Sequence, residues 1–433
     1  MRQNSTNSGK SPGGNLRYLS PAGASPSNAN PVFAAEKSLL TRMMRSIGNP
    51  PVQVVLWDGQ EITNENGHAI ARVLIRDRAA LLKLIINPEL YFGELYAAQR
   101  VEVQGNLLDF IDATYQVWPL RGPDTIERKI LTLFNHAGQN TLHEARNNIH
   151  HHYDIGNDFY KLWLDEQMVY TCAYFPDPNM SLEQAQLAKL DHVCRKLRLQ
   201  PGEKVVEAGC GWGALAIHLA KYYGVTVQAH NISTEQIAYA RERARSEGLD
   251  QQVVFIEDDY RHVQGQFDAF VSVGMLEHVG VANYRELGAV IDRCLKPNGR
   301  GLIHTIGLNF PRPMDAWTER HIFPGANPPS LAEMMSIFEP YNFSVLDVEN
   351  LRPHYAKTLE HWLHRFEENS AQVAEMFDNE FVRSWRLYLA GSLAAFKNGG
   401  MQLFQVAFNR AGNNQIPWSR QYLYEKGKRD ANM

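Results

Sequence analysis

The sequence predicts a doubly wound α/β protein, an open sheet with helices on both faces, preceded by a smaller α+β domain. Three observations predict it. From Leu187 onward, short β-branched runs alternate with segments of helical period, the pattern of a mostly parallel sheet wrapped by helices. The stretch "VVEAGCGWGALAIHLA" at 205–220 breaks from a strand into alternating glycines and resumes as a helix. In such folds that turn brings backbone close to a ligand. A chain of 433 residues also exceeds one ordinary core, so a second domain is expected.

Taken in order, residues 1–30 are rich in Ser, Asn, Gly and Pro with hardly any large apolar groups, and a disordered arm is expected because too little surface can be buried to offset ordering entropy. An N-terminal domain follows over 31–118. In it "VQVVLWDGQ" is a strand ending at the turn dipeptide Asp58-Gly59, and "ARVLIRD" is a second strand. "AALLKLIIN" is a helix that stops before Pro88, and "PELYFGELYAAQRVEVQGNLLDFIDATYQ" reads as helix, short extended piece, helix. Residues 119–136, opening on Pro119 and Leu120-Arg121-Gly122-Pro123, read as a linker, and 137–433 as the larger domain. Its strands are expected at 204–208, 225–230, 253–258, 269–274, 299–307, 343–351 and 404–410, with helices between most of them, one capped by Ser233.

Composition narrows the function. Hydrophobic content of 44% and charged content of 21% suit a soluble globular chain. A net charge of −4 without a dense basic run argues against nucleic acid as a partner. No stretch approaches the roughly 20 apolar residues of a membrane span, and the N-terminus lacks a charged-then-apolar signal pattern. The expectation is a cytoplasmic protein whose membrane contact, if any, is peripheral. Four cysteines, Cys172, Cys194, Cys210 and Cys294, are too scattered for a zinc framework and too few for a disulfide scaffold. His150, His151 and His152 are adjacent and do not share a helix face, so no metal site is expected.

The glycine turn by itself is a weak signal. Gly209-x-Gly211-x-x-Ala214 satisfies the permissive dinucleotide fingerprint, but that reading needs an acid at the end of the second strand, where the chain has "VTVQAHNIS". The flanking residues are more specific: Glu207 before the glycines, "HNISTEQ" after strand two, "DDY" after strand three and "VSVGMLEHVG" at strand four. Together they resemble S-adenosylmethionine-dependent methyltransferases. With "HHYDIGNDFYKLWLD", "YTCAYF", "EHVG", "HTIG" and "HIFPG" in that order, the chain resembles the cyclopropane-fatty-acyl-phospholipid synthase family over roughly residues 137–412. The region before it resembles, more faintly, the lipid-carrier-like domain of the long bacterial form. Two departures stand out. Glu207-Ala208 replaces the usual Asp-Ile, and Thr171 replaces the commoner Ser.

The resemblance implies a Rossmann-like methyltransferase sheet with a smaller N-terminal α+β lipid-carrier-like domain. It implies S-adenosylmethionine as methyl donor and an unsaturated phospholipid in the membrane as acceptor, with a cyclopropane ring as product. The ring closes when a carbocation loses a proton, and the base is a bound bicarbonate. Its holders map to Cys172, Glu277, His304, Ile306 through its backbone, and Tyr355. The cofactor residues map to Tyr170, Thr171, Glu207, Gly209, Gly211, Trp212, Gly213, Asn231, Gln236, Tyr260 and Arg261. The expected place of work is the inner face of the membrane, and a homodimer is left open.

Taken residue by residue, plainer roles stand beside these. Cys172 is equally a small buried hydrophobe, Glu277-His278 an ordinary helix start, His304 a satisfied core histidine, and Tyr355 one member of an aromatic helix stripe. Two other functions fit the same pattern: a lipid methyltransferase that leaves a methyl or methylene branch, and a lipid-binding protein without catalysis. The loop "WTERHIFPGANPP" at 317–329, with Ile322 and Phe323, is the expected membrane contact, and the N-terminal domain a second.

Overall fold

The computed structural model describes residues 34–63, 68–117 and 155–424. The expected arm, the linker and the three adjacent histidines lie outside the described residues.

The N-terminal unit is a four-stranded sheet of order β2-β1-β3-β4, with β1 Val52–Val55, β2 Glu61–Thr63, β3 Ala71–Ile75 and β4 Val101–Gln104. Strand β2 was not anticipated. It pairs antiparallel with β1 across the Asp58-Gly59 turn, whereas β1 and β3 run parallel. Helices Ala34–Ser46, Arg78–Ile86, Pro88–Ala97 and Leu107–Val117 cover the sheet. Asp77 caps the second by accepting from Ala80 N at 2.9 Å. Asn87 ends that helix and starts the next, accepting from Leu90 N at 3.1 Å with Pro88 in the first turn. A proline there costs no hydrogen bond, so the chain bends between two helices without a loop.

The larger unit carries the seven expected strands, β5 Lys204–Ala208, β6 Thr226–Asn231, β7 Val253–Glu257, β8 Phe267–Val273, β9 Leu295–Gly307, β10 Phe343–Asn350 and β11 Gln402–Arg410. Their order is β10-β11-β9-β8-β5-β6-β7. The strands β5 to β9 run parallel to one another, and β11 is inserted antiparallel between β9 and β10. The chain enters at β5, moves outward to β6 and β7, then returns to β8 on the other side. Strand order therefore reverses between β5 and β8, and a ligand crevice is expected at their carboxyl ends. Ser233 caps helix Thr234–Ser246 by accepting from Gln236 N at 3.3 Å.

The two units share one interior. A single apolar cluster runs from Leu40, Val73 and Phe110 through Trp163, Trp362 and Trp385 to Leu403. Arg383 fastens the units together: it donates to Tyr96 O at 2.6 Å, pairs with Glu102 at 3.2 Å and lies 4.0 Å from the centre of the Tyr96 ring. Among the described residues, no helix is long and apolar enough to cross a membrane.

The expected membrane loop is corrected. Trp317 is 5% exposed and Ile322 only 2%. Helix Pro88–Ala97 lies so close that a Cβ on Gly93 would meet the Trp317 ring at 2.3 Å. Trp317 is thus packed against the N-terminal unit, Phe323 lies against His278 and Tyr388, and Trp317, Phe323 and Ala326 line the cavity described below.

Candidate active site

Two cavities meet above the carboxyl ends of β5, β8 and β9. The smaller, of about 150 Å³, is lined by the glycine turn, by residues after β6 and β7, and by the segment after β8. The larger, of about 330 Å³, begins at the end of β9 and runs into the N-terminal unit, where Leu40, Val73, Ile75 and Leu84 line it. Tyr170, Thr171, Gly274 and His278 line both and form the partition.

An irregular strap, residues 170–175, carries three expected residues, and helices hold it on several sides. Tyr170 shares a 2.8 Å hydrogen bond with the Tyr388 hydroxyl. Gln186 donates to Thr171 O at 2.9 Å, and Ala173 N donates to Thr358 Oγ1 at 3.0 Å. On the far side, a Cβ on Gly274 would strike Thr171 Cγ2 at 2.7 Å, and its φ of +72° also suits glycine.

In the smaller cavity, ten of the eleven expected cofactor residues line the space: Tyr170, Thr171, Glu207, Gly209, Gly211, Trp212, Asn231, Gln236, Tyr260 and Arg261. Gly211, with φ +52°, has no atom of the described residues within 4 Å of the place its Cβ would take. It leaves the backbone bare toward the cavity. Gly213 departs from the expectation. Its Cβ would meet Phe255 at 2.7 Å and Ala240 at 2.9 Å, so it serves helix-to-sheet packing and does not face the cavity. Asn231 donates to Gln236 Oε1 at 2.7 Å, which locks the two amides together. Arg261 pairs with Asp259 at 3.2 Å and Glu286 at 3.1 Å beside the Tyr260 ring.

Glu207 is almost wholly buried, and burial pushes its carboxyl up to about 8. Among the described residues its Oε2 has no hydrogen-bond partner. A buried acceptor without a partner costs free energy until a donor arrives, and this one lines the cavity.

All five expected catalytic residues, Cys172, Glu277, His304, Ile306 and Tyr355, line the larger cavity where it meets the partition. Glu277 Oε1 accepts from Ile306 N at 2.5 Å, while the buried Oε2 has no hydrogen-bond partner among the described residues. Burial pushes this carboxyl up to about 7. The Ile306 N–H is thus engaged with Glu277, and its carbonyl is the other backbone group it brings to this site. His304 lies opposite Gln405 in the β9–β11 ladder, and Gln405 Nε2 lies 3.1 Å from His304 Nδ1. With the amide as donor in this pair, the ring proton sits on Nε2. Among the described residues that Nε2 has no hydrogen-bond partner, and burial holds the imidazole neutral, well below its usual range. Burial likewise pushes the Cys172 thiol up, and its Sγ donates to Ala173 O at 3.1 Å. It is a neutral thiol, not a nucleophile. The Tyr355 ring is held edge-on to Trp362 and lies 4.4 Å from the Phe396 ring centre.

Sequence reading missed two buried polar residues of this site. Lys189 donates to Thr171 Oγ1 at 2.8 Å and lines the smaller cavity, and burial pushes its amine down to about 8. Its signal is legible afterwards: it sits on the buried stripe of helix Leu182–Leu197 with Ala185, Gln186 and Val193, where an apolar residue belongs. Gln405 left no comparable signal, since its partner is set by strand register.

Comparison with known proteins matches this geometry to a family. The family described as mycolic acid cyclopropane synthetase matches residues 140–406, and a domain family of unknown function matches 39–118. A protein of Pseudomonas putida named probable fatty acid methyltransferase is 34% identical over 389 residues, covering 86% of this chain and 96% of its own. The cyclopropane-fatty-acyl-phospholipid synthase of Escherichia coli K12 is 42% identical over 274 residues, covering 62% of this chain and 69% of its own. A solved mycolic acid cyclopropane synthase, complexed with SAH and CTAB, superposes with a TM-score of 0.58 at 29% identity, covering 61% of this chain and 98% of its own. With a β10-β11-β9-β8-β5-β6-β7 sheet, a glycine turn at its switch point and this span of agreement, the chain belongs to the mycolic acid cyclopropane synthetase family of S-adenosylmethionine-dependent enzymes.

Proposed function

We propose that this protein transfers a methylene unit from S-adenosylmethionine to the cis double bond of an unsaturated phospholipid acyl chain, closing a cyclopropane ring. One observation carries the reading: a polar cavity and a long apolar cavity meet at a thin partition, with Glu277 and His304 just on the apolar side. In this reading the sulfonium methyl group faces the partition from the smaller cavity. The acyl chain lies in the larger one, with its saturated end among Leu40, Val73 and Ile75. The partner would be a phospholipid reached from the inner face of a membrane.

An alkene is a weak nucleophile, so the protein contributes orientation and exclusion of water. Tyr170 and Thr171 close the methionine end of the donor, and Glu207 Oε2 accepts from its ammonium group. Ring closure then requires a proton to leave the transferred carbon. The buried, unpartnered Glu277 Oε2 and His304 Nε2 are an acceptor and a donor facing one cavity, which fits a small oxyanion that both accepts and donates, such as bicarbonate. When bound there, bicarbonate supplies a base beside the reacting carbon. Glu277 accepts its proton, neutral His304 donates to its oxygen, and Ile306 keeps the carboxylate aimed. Tyr355 offers a ring face to developing positive charge, and Cys172 contributes modest polarity without a charge.

The test uses S-adenosylmethionine with a fully deuterated methyl group. The lipid product is expected to keep two deuterons and to show upfield cyclopropane hydrogens by proton NMR. The name of the Pseudomonas putida relative favours a second reading, a methyl-branched product; three retained deuterons would establish that instead. Alkene-region signals with two deuterons would indicate an exocyclic methylene. Glu277→Gln and His304→Ala are each expected to lower turnover by about 10²–10³ while cofactor affinity by calorimetry stays unchanged, and depleting bicarbonate should slow the wild type. Full activity in either variant removes the assigned base site.

A further inference from the structure

Helices Ala34–Ser46 and Arg78–Ile86 each have two dissimilar sides. Their inner sides line the larger cavity, through Leu40, Met43 and Met44 on the first and Leu84 on the second. An ion pair between Arg78 and Glu36, at 2.7 Å, ties the helices together. Their outer sides expose Leu39 at 41%, Leu82 at 42% and Ile86 at 72%. Leu82 and Ile86 are four residues apart and share one helix face. Single exposed leucines are ordinary on protein surfaces; these three sit on the outer sides of helices whose other sides line an apolar cavity.

The charge on the same helices is as uneven. They carry five bases, Lys37, Arg42, Arg45, Arg78 and Lys83, against one acid, Glu36, in a chain whose net charge is −4. Lys37, Arg42 and Arg45 are exposed. An apolar ridge flanked by bases fits the boundary between acyl chains and anionic headgroups. A protein partner would leave unexplained why the ridge backs onto the cavity.

We propose that these two helices are the surface by which the protein docks on an anionic phospholipid bilayer, Leu39, Leu82 and Ile86 entering the interface and Lys37, Arg42 and Lys83 lying among headgroups. The inference rests on the reading of the larger cavity as an acyl-chain site. It transfers the membrane contact from the buried 317–329 loop to the N-terminal unit and gives the cavity a neighbouring source of lipid.

The full chain is floated with vesicles of phosphatidylglycerol and phosphatidylcholine, and with phosphatidylcholine alone. The wild type is expected to float with the anionic vesicles and to be released by salt. Leu82→Asp/Ile86→Asp should weaken vesicle binding at least tenfold. Arg42→Ala/Lys83→Ala should weaken it about 25-fold, at about fivefold per base. Both variants should keep the wild-type melting temperature, hydrodynamic size and turnover on phospholipid dispersed in detergent micelles. Flotation is read without turnover, so a wild type that floats but leaves micellar lipid unmodified would count against the acyl-chain reading and not against docking. Wild-type flotation of both variants, or equal binding of the wild type to neutral vesicles, would overturn the proposal. So would a smaller hydrodynamic size in the variants, which would assign the ridge to a second copy of the chain.

Discussion

In the proposed reading, in which Glu207 receives the cofactor ammonium, one side chain couples cofactor binding to pH. Burial holds its carboxyl at about 8 against an ordinary 4.5, so at pH 7 it is mostly protonated in the free protein. A cofactor ammonium beside it favours the ionised form. Binding therefore expels a proton, and affinity should rise with pH until about 8 and then level. Calorimetry at pH 7 in buffers of different ionisation enthalpy should report close to one proton released, and Glu207→Gln should report none. No release from the wild type would place the ammonium elsewhere. The same shift has a stability consequence of opposite sense. The folded protein holds a proton that the unfolded chain gives up above 4.5, so the free protein should lose stability as pH rises from there through about 8. The residues of this site divide by how their partners arise. Glu207 and the glycines were legible because strand, turn and helix are adjacent in sequence. Lys189, Gln405 and the Ile306–Glu277 hydrogen bond depend on neighbours that folding brings from other elements.

Elements position the chemistry through close approaches that particular residues permit. Helix Pro88–Ala97 approaches the 316–328 segment only because Gly93 has no side chain where the Trp317 ring lies. Gly93→Ala forces one of them to move. Overpacking of this kind costs about 1–3 kcal/mol, so the variant should unfold at lower denaturant with an unchanged slope. Unaltered stability would mean that Trp317 swings aside at no cost. The same contact explains why the 317–329 loop misled a reading from composition. Proline, glycine and charges suggest an exposed turn, but Trp317 finds cover beneath a helix far away in the chain and Ile322 is buried as well. In the larger sheet, by contrast, six of the seven strands were placed to within two residues, with β9 starting four residues earlier than expected, since β-branched runs bounded by turn residues are a local signal. Strand β2, with only Glu61–Thr63 and no apolar alternation, offered too little pattern to be read.

At the scale of the whole molecule, the N-terminal unit is half of the apolar cavity. Val73, on its central β3 strand, is 6% exposed and lines the end away from Glu277. Val73→Phe fills part of that end, so the acyl chains modified should shift toward shorter ones while cofactor affinity stays unchanged. Mass spectrometry of the lipid products measures this; an unaltered chain-length profile would mean that the chain does not reach the N-terminal unit. The sequence by itself determined the class of sheet, the position of its glycine turn, the existence of a second unit and the family resemblance. Each is written in a short window, as a period of two or 3.6 residues, a backbone conformation that favours glycine, or an ordered run of motifs. Tertiary structure alone decided that the two units share one interior, that the cavities meet at Tyr170, Thr171, Gly274 and His278, and that Glu277 and His304 each keep one polar atom unpaired. These depend on which distant surfaces exclude water together and on the register of β9 against β11, and no local window of sequence contains either.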